Sequence, residues 1–375
     1  MSLEWIEDAE HLGHLVDRAS DQGVVGVDTE LFWERTYYPR LAIVQLAVSE
    51  EDCCLIDVPA FSDLSLLGSL LADPKVVKIL HDAPQDLSIL RRETGAAPRN
   101  IFDTRCVAGL AGLSSTISLR DLLAQLMGVE LAKTETRTDW FRRPLSEAQL
   151  NYAIDDVRFL HAARLALLTR VAERGVEAWL TEELAQLDDS SLYAERDPRQ
   201  QLLRIKGSGR LTSRELAILR ELAAWRELEA RSLDRPRARV VPDKLLLDLA
   251  RARPRTHEAL SSVRDIKGGQ IKRFGGGILE AVGTGVAVPD EECPPRVPRS
   301  RHDEAMERRG VAAIELLEAR SADRGIDHAL VATRSEVRSL VRDGERADPD
   351  RHRVLRGWRR EFVGAELLEL ATAPG

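Results

Sequence analysis

The chain has 375 residues, 43% hydrophobic and 31% charged, with a net charge of −8; this is the composition of a folded globular protein and excludes a disordered or fibrous chain. Its length points to two or three domains at roughly 100–200 residues each. No apolar run approaches the ~18 residues of a membrane span, and the acidic opening Met1 to Glu10 lacks the basic-then-apolar order of a signal peptide, so a cytoplasmic protein with no membrane partner is expected.

Apolar, β-branched runs at Val24–Val27, Leu41–Val48, Cys53–Val58 and Val76–Leu80 predict strands, the first three close enough for an antiparallel meander. Helical patterns follow at Leu64–Leu71, from Leu87–Leu90 onward, at Thr104–Leu110 and at Leu119–Leu126. Ser146-Glu147-Ala148-Gln149 is a capping box that predicts one long helix to about Glu173. Residues 1–187 therefore form an α/β unit. Cys53, Cys54, Cys106 and Cys293 lack metal-ligand spacing and are read as reduced thiols; on a strand, Cys53 and Cys54 point to opposite faces.

Beyond Leu211 the strand signals vanish. Thr212 with Glu215 caps one helix, Pro242-Asp243 precedes another, and Lys267-Gly268-Gly269 and Gly275-Gly276-Gly277 read as punctuation within a helical module at 205–283. The stretch 288–299, with Pro289, Pro294, Pro295 and Pro298, reads as a linker to a third helical block at 300–373. Phe274-Gly275-x-x-Ile278-Leu279-Glu280 recurs as Val363-Gly364-x-x-Leu367-Leu368-Glu369, which suggests duplication of one helical domain.

The net charge divides into −14 over residues 1–200 and +6 over 201–375, and the basic half is the better holder of a polyanion. Single arginines there have the plain alternative of solvation. Lys267-Gly268-Gly269 with Lys272-Arg273 is the sharper candidate, because glycines at a helix start expose N–H groups to phosphates.

In the acidic half, Asp28 and Glu30 end the first predicted strand two residues apart, on one face. A solvated strand end is the plain alternative. Asp86 falls in the first turn of a helix, where complementing the helix dipole would suffice to explain it; Asp82 reads as a cap and His81 as a partly buried histidine. Tyr152 and Asp156 share a helix face with Phe159 and Ala163, a stripe expected to be buried, where an unpaired carboxylate is costly. Asp155 is rotated off it and reads as solvated. One chemistry unites the four carboxylates: hard oxygen ligands suit Mg²⁺ or Mn²⁺, and a pair of such ions can serve phosphodiester cleavage.

Asp28-Thr29-Glu30, His81-(four residues)-Asp86-Leu87 and Tyr152-(three residues)-Asp156-Val157, in this order, resemble the three exonuclease motifs of the DEDD superfamily, tyrosine subtype. Arg35-Thr36-Tyr37-Tyr38-Pro39, Leu41 to Leu46 with Gln45, Phe102-Asp103-Thr104, and Asp139-Trp140 leading through Arg143-Pro144-Leu145 narrow the resemblance to ribonuclease D, over residues 20–170. The resemblance implies an α/β ribonuclease H-like domain, a mixed sheet flanked by helices, in which Asp28, Glu30, Asp86 and Asp156 hold two metal ions and Tyr152 orients the attacking water. It further implies RNA contacts at Thr29, Gln45 and His81, and 3′→5′ release of nucleoside 5′-monophosphates from RNA with a free 3′-hydroxyl, such as tRNA precursors.

Trp225 to Pro236, Pro242-Asp243-Lys244, Arg253-Pro254-Arg255-Thr256 and Arg273-Phe274-Gly275 resemble the all-α HRDC domain; 300–373 looks like a degenerate second copy without the Gly-Gly turn or the basic cluster. A DNA 3′→5′ exonuclease of the same superfamily and a non-catalytic RNA-binding protein retaining the nuclease fold are the competing readings. A chain cut after about Leu187 is expected to keep cleavage of short oligomers.

Overall fold

Most of the central strands are buried almost without interruption, which means that both of their faces are covered. In the computed structural model, which describes residues 2–32, 35–131, 138–296 and 304–373, six strands form one mixed sheet in the order β1-β4-β3-β2-β5-β6. They are β1 (Ser2–Ile6), β2 (Val24–Phe32), β3 (Arg40–Ala47), β4 (Asp52–Asp57), β5 (Val77–Leu80) and β6 (Ile101–Asp103). β3 and β4 are antiparallel, whereas β1–β4, β2–β5 and β5–β6 are parallel. Val25 and Val27 face a core built with α1 (Ala9–Gln22), α2 (Ser65–Ala72) and α3 (Pro84–Thr94). Ala47, Cys53, Ile79 and Phe102 face a second core built with α4 (Thr104–Leu110), α5 (Leu119–Met127), α6 (Glu147–Arg158), α7 (Leu160–Glu173) and α8 (Glu177–Ala185). Cys53 and Cys54 fall in different cores, as strand alternation requires, and all four cysteines are free.

Three expectations change. Residues 2–6 form a strand, with Glu4 and Asp52 drawn together by Arg18 at 2.5 and 3.2 Å. The long helix is two helices meeting at Phe159. A straight run of 27 residues would extend roughly 40 Å, but α6 crosses β2 and β4 while α7 follows β2 and β5, so the chain turns with the sheet. Gly275-Gly276-Gly277 lies inside α13 (Gly268–Ala287) rather than punctuating it. A Cβ would meet His257 at 2.8 Å from position 275 and Trp225 at 2.3 Å from position 277, so these glycines let neighbouring helices approach.

The chain divides into two compact units. The second contains residues 195–300 with α9 (Ser213–Ser232), α10 (Arg237–Val240), α11 (Asp243–Ala252), α12 (His257–Ser261) and α13. Residues 35–40, predicted within the exonuclease domain, belong with it. The Tyr37 hydroxyl donates to buried Glu227 and accepts from Arg237 at 3.0 Å, and the Tyr37 N–H donates to Asp234 at 3.0 Å. Part of the proline-rich linker, including Pro298, lies outside the described residues.

The third helical block joins the first unit. Its α14 (Glu304–Arg324), α15 (His328–Val331) and α16 (Arg334–Asp343) have 21, 4 and 10 residues, against 20, 4 and 10 for α9 to α11. Its chain ends in α17 (Gly357–Arg359), a π turn at Arg360–Gly364 and α18 (Ala365–Thr372). Leu330, Leu340, Val354 and Trp358 complete one core with Val107, Val176 and Leu180. Trp358 stacks on Trp179 at 4.6 Å and donates from Nε1 to Glu183 at 2.7 Å, and Arg359 pairs with the same buried carboxylate. A cut after Leu187 would therefore strip part of the first unit's own core, contrary to the expectation for that truncation.

Arg359→Ala leaves Glu183 buried without its cation and is expected to destabilise the first unit by about 3–5 kcal/mol. Urea unfolding of the full chain measures this, and a loss under ~1 kcal/mol would show that the pair does not hold the third block.

Candidate active site

The site forms where the second half of β2 meets α3 and α6. Strand alternation turns Asp28 and Glu30 toward α6 and Thr29 toward α3. A Cβ at Gly26 would stand 3.0 Å from the Val157 carbonyl, so α6 lies close against β2, which carries Asp156 to the strand's carboxylates. One oxygen from each of Asp28, Glu30 and Asp156 falls within 4.8 Å of the others. Asp86 approaches from α3, where the Thr29 hydroxyl donates to its Oδ1.

Burial and mutual repulsion act on all four. Burial, then the charges of Asp156, Asp86 and Glu30, hold the Asp28 carboxyl well above the usual range. Burial followed by Asp156 and Asp86 raises Glu30 to about 9. Burial raises Asp86 to about 6 against the Thr29 hydrogen bond, and Asp156 to about 7 against one from Tyr152. No lysine, arginine or histidine enters among the leading influences on any of them. A hard oxygen set whose like charges lack a cationic side chain among the described residues fits a divalent metal ion.

Tyr152 is held behind this cluster by buried Trp140, ring centroids 6.0 Å apart. The loop bearing Trp140 is anchored by Arg143, which pairs with Asp57 and donates to the Trp140 carbonyl at 2.6 Å. Tyr152, Asp155 and Asp156 line a cleft of about 370 Å³ with Ser118, Arg120 and Asp121. Asp155 is therefore not simply solvated; it also lies 3.4 Å from Arg158. Arg120, exposed on this cleft, carried no motif.

Three expected RNA contacts are reassigned by their surroundings. Thr29 is 8% exposed and holds Asp86; Gln45 is 0% exposed. His81 spends both ring nitrogens inside the fold, Nδ1 at 2.9 Å from the Thr104 hydroxyl and Nε2 at 3.1 Å from the Ile117 carbonyl. Asp103 was missed as a support. Its buried carboxylate accepts from the N–H groups of Asp82 and Ala83, both at 3.1 Å, fixing the turn before α3, and caps α4 through Arg105 at 2.9 Å. The signal was Asp103 standing immediately before a predicted helix. In the second unit, Lys267, Gly268, Lys272 and Arg273 are exposed at the start of α13.

Residues 3–172 match the 3′-5′ exonuclease family and residues 215–282 the HRDC domain. Fold and site together thus define a 3′→5′ exonuclease carrying an HRDC domain. The chain is 40% identical to ribonuclease D of Desulfotalea psychrophila, over 96% of each chain, and 34% identical to that of Pseudomonas paraeruginosa, over 98% of this chain and 96% of the relative. Its fold is similar to the crystal structure of Escherichia coli RNase D, with a TM-score of 0.87 and 27% identity over 99% of this chain and 98% of that one. The chain belongs to the ribonuclease D family: it is a 3′→5′ exoribonuclease, and its fold implies divalent metal.

Metal-free, the four carboxylates have folded pKa values above their unfolded ones, so the folded state binds more protons and stability falls as pH rises from about 4 through 6, 7 and 9. In chelator at pH 8, Asp156→Asn is expected to raise Tm, by roughly 2–4 °C per kcal/mol of repulsion relieved, and to raise it less at pH 5. Calorimetric scans at both pH values check this; an equal or lower Tm at pH 8 contradicts the repulsion.

Proposed function

We propose that Asp28, Glu30, Asp86 and Asp156 hold two divalent ions, Mg²⁺ or Mn²⁺, and that the enzyme removes nucleoside 5′-monophosphates from the free 3′-hydroxyl end of structured RNA, tRNA precursors among them, in the cytoplasm. The observation that carries this reading is the convergence of half-buried carboxylates beside Tyr152, with no cationic side chain among the described residues leading the influences on them. The structured-RNA substrate is supported by Escherichia coli RNase D, described as an exoribonuclease involved in structured RNA processing. The family relationship favours RNA over the DNA exonucleases with similar motifs, and the intact carboxylate set argues against a binding protein without activity.

When bound, the ions supply positive charge to the attacked phosphodiester. The protein's own groups do the rest. Burial and the charges of Asp156 and Glu30 push the Tyr152 phenol above its ordinary value, so Oη keeps its proton and donates to Asp156. It acts as an aligner of the attacking water, not as a base. Thr29 fixes Asp86 from the opposite side of the strand, and Arg120 on the cleft wall offers a cation to a backbone phosphate.

Tyr152→Phe removes only the hydroxyl. Single-turnover cleavage at saturating metal and RNA is expected to fall ~10²–10⁴-fold with Tm nearly unchanged, and equal rates would reduce the tyrosine to packing. In the same assay matched DNA is cut more slowly than RNA, and a 3′-phosphate blocks cleavage.

The exposed start of α13 is the proposed phosphate-binding surface of the second unit. Replacing Lys267, Lys272 and Arg273 by alanine should weaken binding of a tRNA-sized RNA and reduce the salt slope by about 1 for each phosphate no longer neutralised. Filter binding across a salt series measures both, and an unchanged slope removes this surface from the RNA path.

A further inference from the structure

Gln45 is the residue the proposed mechanism leaves unused. It lies on β3 opposite Leu55 of β4, is 0% exposed, and has no hydrogen-bond partner among the described residues for either Nε2 or Oε1. A buried amide with both ends unpaired carries a desolvation cost that calls for an explanation.

Its position supplies one. Seven residues join β2 to β3, too few for a parallel crossover, so these neighbouring strands run antiparallel. A Cβ at Gly26 would stand 3.4 Å from the Ala47 Cβ, which places positions 26 and 47 opposite each other. Two residues along each strand, on the same face, Asp28 stands opposite Gln45. Directly opposed side chains have Cβ atoms about 4.5–5.5 Å apart, within reach of a glutamine. α6 packs on β2 and on β4, so it covers the β3 strand between them and closes the space above Gln45 to solvent.

We propose that Gln45 is a positioning residue of the metal site, its Nε2 donating to the Asp28 oxygen that faces away from a bound ion. This rests on the assignment of Asp28 as a metal ligand. An amide donor on the outer side of a ligating carboxylate fixes its rotation, and losing such a partner commonly costs 10–100-fold in metal affinity or activity, roughly. The amide is thus partnered in the metal-loaded enzyme and unpartnered in its absence.

The test compares full-length wild type, Gln45→Met and Asp28→Asn by Mn²⁺ titration calorimetry and by melting in chelator. Methionine keeps length and shape without polar atoms. Gln45→Met is expected to melt in chelator at or above the wild-type temperature, because an unpaired buried amide is gone, while Mn²⁺ affinity falls about 10-fold. Gln45→Asn, which keeps the amide one methylene short, should lose affinity similarly and stands in if the methionine variant does not fold. Unchanged affinity overturns the proposal, and so does a lowered metal-free Tm accompanying any loss, since that marks a structural role. If Asp28→Asn binds Mn²⁺ like wild type, the metal-site reading itself fails, whatever Gln45→Met does.

Discussion

Like charges gathered partly out of water repel, and the first unit is arranged around such a gathering. Asp28 and Glu30 come from a strand anchored just upstream by the core residues Val25 and Val27, Asp86 from the helix on one face of the sheet and Asp156 from the helix on the other. Each element is fixed by its own packing, which brings the carboxylates together. The apolar cores on both faces of the sheet oppose this repulsion in the metal-free protein. The supports at Thr29, Asp103, Trp140 and Arg143 hold the groups that must stay aligned.

The third block follows from the same requirement for rigidity. α4 and α8 pack on β6, whose Asp103 fixes the turn before α3, and their outer surfaces are completed by α15 and α17. The Asp327 N–H donates to the Gly109 carbonyl at 2.9 Å, and Asp327 accepts from Ser115 at 2.6 Å. A block read as a distant copy of a binding domain thus acts as a wall of the catalytic unit. Its succession of helices still repeats that of α9 to α11, so one architecture serves two kinds of surface.

Local chemistry made much of this readable. Two-residue and four-residue spacing placed Asp28 with Glu30 and Tyr152 with Asp156, and apolar, β-branched runs located β2 to β5. Nonlocal packing hid the rest. β1 is short and depends on β4, some fifty residues away, for its pairing. Helix glycines in α13 carry the same letters as a turn, and the rings of His257 against Gly275 and Trp225 against Gly277 distinguish them. The polar residues of the motifs were visible as chemistry but not as buried or exposed: Thr29, Gln45 and His81 read as RNA contacts until the neighbours that enclose them were placed.

The segment 35–40 bears on how such a protein can be rearranged over generations. Between the strand carrying two of the carboxylates and the next, the chain visits the second unit, where Tyr37 is gripped by Glu227, Arg237 and Asp234. The second unit is therefore not a cassette joined at one seam near residue 195. A recombination event that exchanged only residues downstream of that seam would leave Tyr37 with foreign neighbours. The heritable module is discontinuous: a short segment containing residues 35–40 travels with a domain whose coding sequence begins some 150 residues later.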